Sequence, residues 1–282
     1  MIKYAYNTLV YAGESIEESI KRLAKYEYDG VEFVGEPDDM DFNEIKKLLT
    51  KYNIEASSIC AIYTPERDLV SSKADIRENA KNYIKKCLDM AAEIGASVMS
   101  LTPTACMKTT PEDSLEQEWE WAVEGLREVG KYAEEKGVKI AVEPWNRYEN
   151  YLINRLDQSI ELVDEVNIPS VGCMCDIFHM CIEETDIPAA IRKAGDRLYH
   201  IHIADNNRAA PGYGHLDFNP IIDAILSIGY DGYLSMELLP AAADPFLVLE
   251  GADCEEFYDQ YTKDSIDFLK RTIESRKGLQ EV

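Results

Sequence analysis

Eight short apolar segments alternate with eight longer amphipathic ones along this 282-residue chain, and few folds accommodate that rhythm. The segments that read as strands are Lys3–Tyr6, Gly30–Val34, Ala56–Ile62, Ser97–Leu101, Lys139–Glu143, Val171–Asp176, Leu198–Ala204 and Tyr233–Leu238. Helical patterns lie between them, at about 15–26, 42–52, 75–94, 113–136, 157–166, 187–194, 219–228 and 255–275. In the third helix Ile76, Ala80, Tyr83, Ile84, Cys87, Leu88 and Ala91 form one apolar stripe. A β–α unit repeated eight times predicts an α/β fold, a single (β/α)8 TIM barrel that takes up 1–282 as one domain. The rival doubly wound sheet would place a glycine-rich phosphate loop after the first strand, and none is there. Tyr28-Asp29-Gly30 and Tyr230-Asp231-Gly232 each follow a helix and open a strand, which reads as one αβ turn used twice.

Charge narrows the partners. Asp and Glu number 53 against 29 Lys and Arg, a net charge of −24. Such a surface repels nucleic-acid phosphates and anionic lipid, so neither nucleic acid nor a membrane is an expected partner. No uncharged apolar run reaches the roughly 18 residues of a membrane span. The first residues enter a strand pattern directly, without the apolar core of a leader peptide. Seven cysteines, an odd number in a chain long enough to build a core, predict reduced thiols and a cytoplasmic setting.

In a (β/α)8 barrel the active site lies at the C-terminal ends of the strands. The fifth strand ends at Glu143, the sixth at Asp176 and the eighth near Glu237, and the seventh carries His202. Taken singly, an acid at a strand end is more often a surface or ion-pairing residue. Four ionisable groups on consecutive strands at one level are a different matter. Three carboxylates and an imidazole converging on one mouth call for a cation, and three oxygen donors with one nitrogen suit Mn2+, or Mg2+ or Co2+, better than Zn2+. All four histidines fall between His179 and His215. His200 shares the inward face of its strand with His202 one layer deeper, which predicts a hydrogen-bonded core histidine. His179, three residues past Asp176, can reach the mouth, and His215 should face solvent. Alternation turns Cys173 and Cys175 away from the barrel interior, toward the helices.

The stretches Glu143-Pro144-Trp145-Asn146-Arg147-Tyr148-Glu149, Asp176-Ile177-Phe178-His179, His200-Ile201-His202, Asp205-Asn206-Asn207-Arg208 and Met236-Glu237 resemble the xylose-isomerase-like sugar epimerases and isomerases. Within them the D-tagatose/D-psicose (allulose) ketose 3-epimerases are the nearest branch. The resemblance implies that Glu143, Asp176, His202 and Glu237 hold Mn2+ or a similar ion. It also implies that Glu143 and Glu237 act as an acid–base pair on opposite faces of C3. Glu149, His179 and Arg208 would grip the O1 and O2 end of a free, open-chain ketose. The expected reaction removes and returns the C3 proton through an enediolate whose charge a divalent ion stabilises.

Elsewhere the chain departs from that branch. The loop after the fourth strand, Thr102-Pro103-Thr104-Ala105-Cys106-Met107-Lys108, has Met107 where an aromatic usually covers the substrate. Its threonines and Lys108 imply a different substrate tail. Cys60 falls near a family site position. Trp145 could stack on a sugar or pack against the protein, and Trp119 and Trp121 read as outer-ring packing or a contact in a homo-oligomer, dimer or tetramer. The eighth loop, Leu238–Pro245, has neither glycine nor lysine, which argues for an unphosphorylated sugar or one with a hydrophobic group. The alternatives within the same fold are a β-eliminating 3-keto-C-glycoside deglycosidase or another sugar isomerase or dehydratase. A non-catalytic sugar-binding subunit would be expected to have lost one of the paired glutamates, and a multi-zinc DNA-repair enzyme would need more histidine and less negative charge.

Overall fold

The structure, a computed structural model, describes residues 2–11, 13–239 and 255–280. Eight parallel strands close into a barrel in chain order: β1 (Lys3–Asn7), β2 (Gly30–Gly35), β3 (Glu55–Ala61), β4 (Val98–Leu101), β5 (Lys139–Val142), β6 (Val171–Asp176), β7 (Leu198–Ile203) and β8 (Tyr233–Met236). β8 pairs with β1 from Lys3↔Tyr233 to Tyr6↔Met236, so no strand edge is left open. The predicted single (β/α)8 TIM barrel is the fold.

Outside the barrel run α1 (Ile16–Lys25), α2 (Phe42–Tyr52), α3 (Ala74–Ile94), α4 (Leu115–Lys136), α5 (Leu156–Val166), α6 (Ile177–Glu183), α7 (Ile187–Ala194), α8 (Phe218–Ser227) and α9 (Glu255–Gln280). Their ends follow from local chemistry. Ser15 and Glu18 cap each other reciprocally at the start of α1, and the Asp41, Ser114, Asp186 and Asp217 side chains accept backbone N–H groups at the starts of α2, α4, α7 and α8. Gly95 and Gly137 close α3 and α4 in the left-handed conformation.

The repeated turn is real. Glu27 and Gly229 both have positive φ, 60° and 69°. Their N–H groups donate three residues back, to Ala24 and Leu226, while Tyr28 and Tyr230 donate five residues back, to Leu23 and Ile225.

Two expectations need adjusting. α6, seven residues directly after β6, was not expected, because two turns are too short to register as a period. The fifth and eighth strands stop one residue before Glu143 and Glu237. The Glu143 and Glu237 N–H groups still donate to Leu101 and Ile203 carbonyls, so both residues keep the direction of their strands.

The main apolar core fills the space between barrel and helices and includes Cys173 and Cys175, as alternation predicted. A separate small cluster of Val98, Ala141 and Met174 lies on β4, β5 and β6. The rest of the interior is strongly polar: Glu32, Ser58, Ser100, His200 and Ser235 are all 2% exposed or less. A barrel interior is ordinarily filled by branched apolar side chains, so this one is built to hold charge at its upper end.

Candidate active site

β5, β6, β7 and β8 deliver Glu143, Asp176, His202 and Glu237 to one point. One ligand atom from each lies within 4.8 Å of every other, and all four residues are buried. His202 Nδ1 stands 3.1 Å from Glu237 Oε2 and 3.8 Å from both Glu143 Oε1 and Asp176 Oδ2.

Each group is held from behind. Asp176 caps α6, its Oδ1 accepting from Phe178 N at 2.8 Å and His179 N at 3.4 Å, which leaves Oδ2 for the cluster. Glu237 Oε1 accepts from Asn7 Nδ2 at 3.0 Å and from the Cys60 thiol at 3.6 Å. The His202 Nε2 lies 3.1 and 3.2 Å from the two oxygens of Glu32.

Around the rim, Arg208 donates to Asp176 Oδ2 at 2.5 Å and to Glu237 Oε2. The His179 Nε2 sits 3.9 Å from Asp176 Oδ2 and 4.0 Å from Glu143 Oε1, while its Nδ1 lies 2.8 Å from the Asn146 amide. That amide also donates to Glu149 at 2.8 Å.

Two buried atoms in this site lack a hydrogen bond, His202 Nδ1 and Glu143 Oε1. Both face the centre of the four-residue cluster. A buried polar atom without a partner is costly, and a metal ion is the partner that both a nitrogen lone pair and a carboxylate oxygen accept. Electrostatics agree: three carboxylates face one guanidinium, which leaves uncompensated negative charge of about a divalent cation's magnitude. The cluster therefore draws protons. Burial, opposed by His202 and aided by Glu237 and Asp176, pushes Glu143 up to about 8. Burial disfavours the charged form of His202, but Glu237 and Glu32 raise it well above its ordinary value. Against the cost of burial, His202 and Arg208 hold Glu237 below the usual carboxylate range, and Arg208 and His179 do the same for Asp176. The residues present fit a divalent cation.

Backbone strain marks the same mouth. Among the described residues five other than glycine have positive φ, and Glu27, Asn53 and Asn167 of these sit at helix ends. The other two are Met107 (63°) and Arg208 (62°), both in loops that follow strands. For side chains of this size the left-handed region costs about 1–3 kcal/mol and persists only where surroundings impose it. Asp205 supplies that frame for Arg208, its carbonyl accepting Arg208 N–H and its carboxylate accepting N–H groups of Asn206, Gly212 and Leu216.

Other expected residues resolve as follows. Trp145 packs its indole on the His179 ring, centroids 6.2 Å apart. Met107 is 56% exposed beside Cys106, which lies within electrostatic reach of Glu149 and Glu143. Lys108 is not free to bind a substrate tail: it pairs with buried Asp68 at 2.8 Å. Thr102 and Thr104 are equally engaged, both accepting from Asn150. The loop's polar side chains thus tie it to the loops after β3 and β5, so they lend no support of their own to a distinct substrate tail. His215 is exposed, Trp119 donates to Glu165 at 2.7 Å, and Arg77 lies over Trp121. In the eighth loop, positions 240–245 lie outside the described residues.

Sequence reasoning missed Glu32 and Asn7. Asn7 ends β1, so the strand-end rule applied to every strand would have found it. Glu32 carried one signal, a lone charge inside the apolar run Val31-Glu32-Phe33.

The profile of the family described as "Xylose isomerase-like TIM barrel" matches residues 20–272. The D-psicose 3-epimerase of Ruminiclostridium cellulolyticum is 33% identical, covering 92% of each chain. The 3-dehydro-D-guloside 4-epimerase of Escherichia coli is 28% identical over 82% of this chain and 90% of its own. The crystal structure of D-psicose 3-epimerase with D-tagatose from Clostridium cellulolyticum H10 superimposes with a TM-score of 0.86 at 29% identity, covering 96% of this chain and 99% of that one.

Proposed function

The chain belongs to the xylose isomerase-like TIM barrel family as an epimerase-type enzyme, and we propose that it is a divalent-metal-dependent ketose 3-epimerase acting on free, unphosphorylated ketoses. The observation that carries this reading is the pair Glu143 and Glu237. They are two buried carboxylates delivered by β5 and β8 to one cluster, with a ligand atom of each within 4.8 Å of the other. Epimerisation at a carbon next to a carbonyl needs a base on one face and an acid on the other, and two carboxylates converging on one point can divide those roles.

In one direction Glu237, ionised and steadied by Asn7, removes the C3 proton. Glu143 supplies a proton from the opposite face. The roles exchange in reverse. Arg208, His179 and Glu149 bind the O1 and O2 end and keep C3 between the two carboxylates, with Trp145 and Met107 against the rest of the sugar. A cation held by Glu143, Asp176, His202 and Glu237, Mn2+ or else Mg2+ or Co2+ by its donor set, would polarise the ketone and offset the negative charge that builds as the proton leaves. The D-psicose 3-epimerase relative supports the substrate class. A homo-oligomer, dimer or tetramer, belongs to the proposal, supported by Leu115 standing 53% exposed near Trp119 on α4. So does a cytoplasmic setting, supported by the free thiols of the six described cysteines.

Incubation of manganese-loaded protein in D2O with fructose, psicose, tagatose and sorbose tests the reading. Loss of the C3–H signal with appearance of the epimer, both stopped by EDTA, is expected. No exchange on any ketose while metal stays bound would refute it. A second reading, proton abstraction beside the carbonyl of a 3-keto-glycoside, draws on the 3-dehydro-D-guloside 4-epimerase relative and would then be tested on such glycosides for epimerisation or β-elimination.

A further inference from the structure

Glu32 is a fully buried charge to which the mechanism above gives no task. Its Oε1 lies 3.0 Å from His200 Nε2 and 3.2 Å from His202 Nε2, and its Oε2 lies 3.1 Å from His202 Nε2 and accepts from the Ser235 hydroxyl. The register of β2 on β3 shifts between Val31 and Glu32, so that Val31 faces Ala56 and Glu32 faces Ser58. An irregularity of this kind re-aims a side chain, and here it stands at the residue whose carboxylate meets β7 and β8 across the barrel.

An ionised carboxylate can only accept, so each imidazole must present Nε2–H to it. In the neutral imidazole that a cation would require, this leaves the His202 lone pair on Nδ1, and Nδ1 is the atom that faces Glu143, Asp176 and Glu237 without a hydrogen bond of its own. With a single donor the carboxylate could rotate, whereas His200, His202 and Ser235 together hold it in one plane. We propose that Glu32 is a positioning residue, which holds His202 in one tautomer and one ring orientation and thereby sets how tightly the four-residue cluster binds a divalent cation. The proposal rests on the reading of that cluster as a metal site. A carboxylate behind a ligating histidine commonly governs affinity by about 10–100-fold.

Mn2+ affinity by chelator competition and the absorption spectrum of bound Co2+, measured on purified Glu32→Gln and Glu32→Asp, test it. Gln places an amide NH2 where one oxygen accepted, which forces an imidazole to turn or change tautomer. Affinity is expected to fall about 10–100-fold and the Co2+ bands to shift, with Asp, which keeps the charge but withdraws it from both rings, recovering part of the loss. If Glu32→Gln does not fold, Glu32→Asp reads the same way. Unchanged Mn2+ affinity and an unchanged Co2+ spectrum in a folded Glu32 variant would overturn the proposal. Asp176→Asn separates the two readings. Should it bind Mn2+ as the parent protein does, the four-residue site itself is wrong and the role of Glu32 falls with it. Should it lose the metal while the Glu32 variants keep it, only Glu32 has been misread.

Discussion

Arg208 reaches the mouth from a left-handed backbone that Asp205 imposes, and its guanidinium spans Asp176 and Glu237. The side chain is thus oriented by the carboxylates it faces, with further N–H donors for a substrate oxygen. Arg208→Ala should therefore act mainly on binding, raising KM by about 10–100-fold, the equivalent of one or two charge-assisted hydrogen bonds. Glu237→Gln differs in kind, because under the proposed function it removes a proton acceptor and a ligand atom together. It should lower kcat by about 10²–10⁴-fold and weaken metal binding, both read from steady-state kinetics and metal titration. Full activity in Glu237→Gln would show the acid–base pair to be wrongly assigned. His202 and Asp176 were legible in the sequence because each is among the last residues of a strand. The partners that orient them were not, since Glu32 lies 170 residues from His202 and Asn7 lies 230 from Glu237.

The helices repay the same attention. α9 returns to α1 through Asp259, which accepts from Arg22 and Lys25 at 2.7 Å and from Tyr26 at 3.0 Å. The Lys25 hydrogen bond is the largest influence on Asp259 and, with Arg22 and Tyr26, holds its carboxyl down at about 2. A carboxyl lowered in the folded state stabilises above its unfolded value of roughly 4, and that contribution disappears as pH falls toward the folded value. Half of the side chain is exposed, so solvent screening limits the effect to about 1 kcal/mol or less. Asp259→Asn should be less stable than the parent protein at pH 7, and urea titrations at descending pH should bring the two together between about pH 4 and pH 2. A gap that persisted to pH 2 would mean that the clamp is not electrostatic. α6 makes the complementary point: seven residues show no usable period, but Asp176 caps them, so one carboxylate of the cluster also starts the helix.

For the molecule as a whole, the barrel interior carries a polar column from Ser235, His200 and Glu32 up to the four-residue cluster. A fold that buries this much like charge should gain stability from any cation it holds. At a free metal concentration a hundredfold above Kd the gain is about 2.7 kcal/mol, which for a chain of this size corresponds to roughly 5–10 °C in melting temperature. Calorimetry with saturating Mn2+ and then with excess EDTA should show a shift of that order, and the difference should vanish in Asp176→Asn. Equal melting temperatures with and without metal in the parent protein would contradict a cation bound preferentially to the folded state.

The amino-acid sequence by itself determined the alternation of elements, the closed barrel and the strand-end residues, because strand and helix periods are local and chain order dictates barrel order. It also determined the repeated Tyr-Asp-Gly turn, whose hydrogen bonds span at most five residues. Only the tertiary structure decided which groups stand behind the cluster, that Lys108 is engaged by Asp68, and that Trp145 lies on His179. Those contacts join residues 34 to 230 positions apart, and a periodic pattern holds no information about which distant side chain will meet it once the barrel has closed.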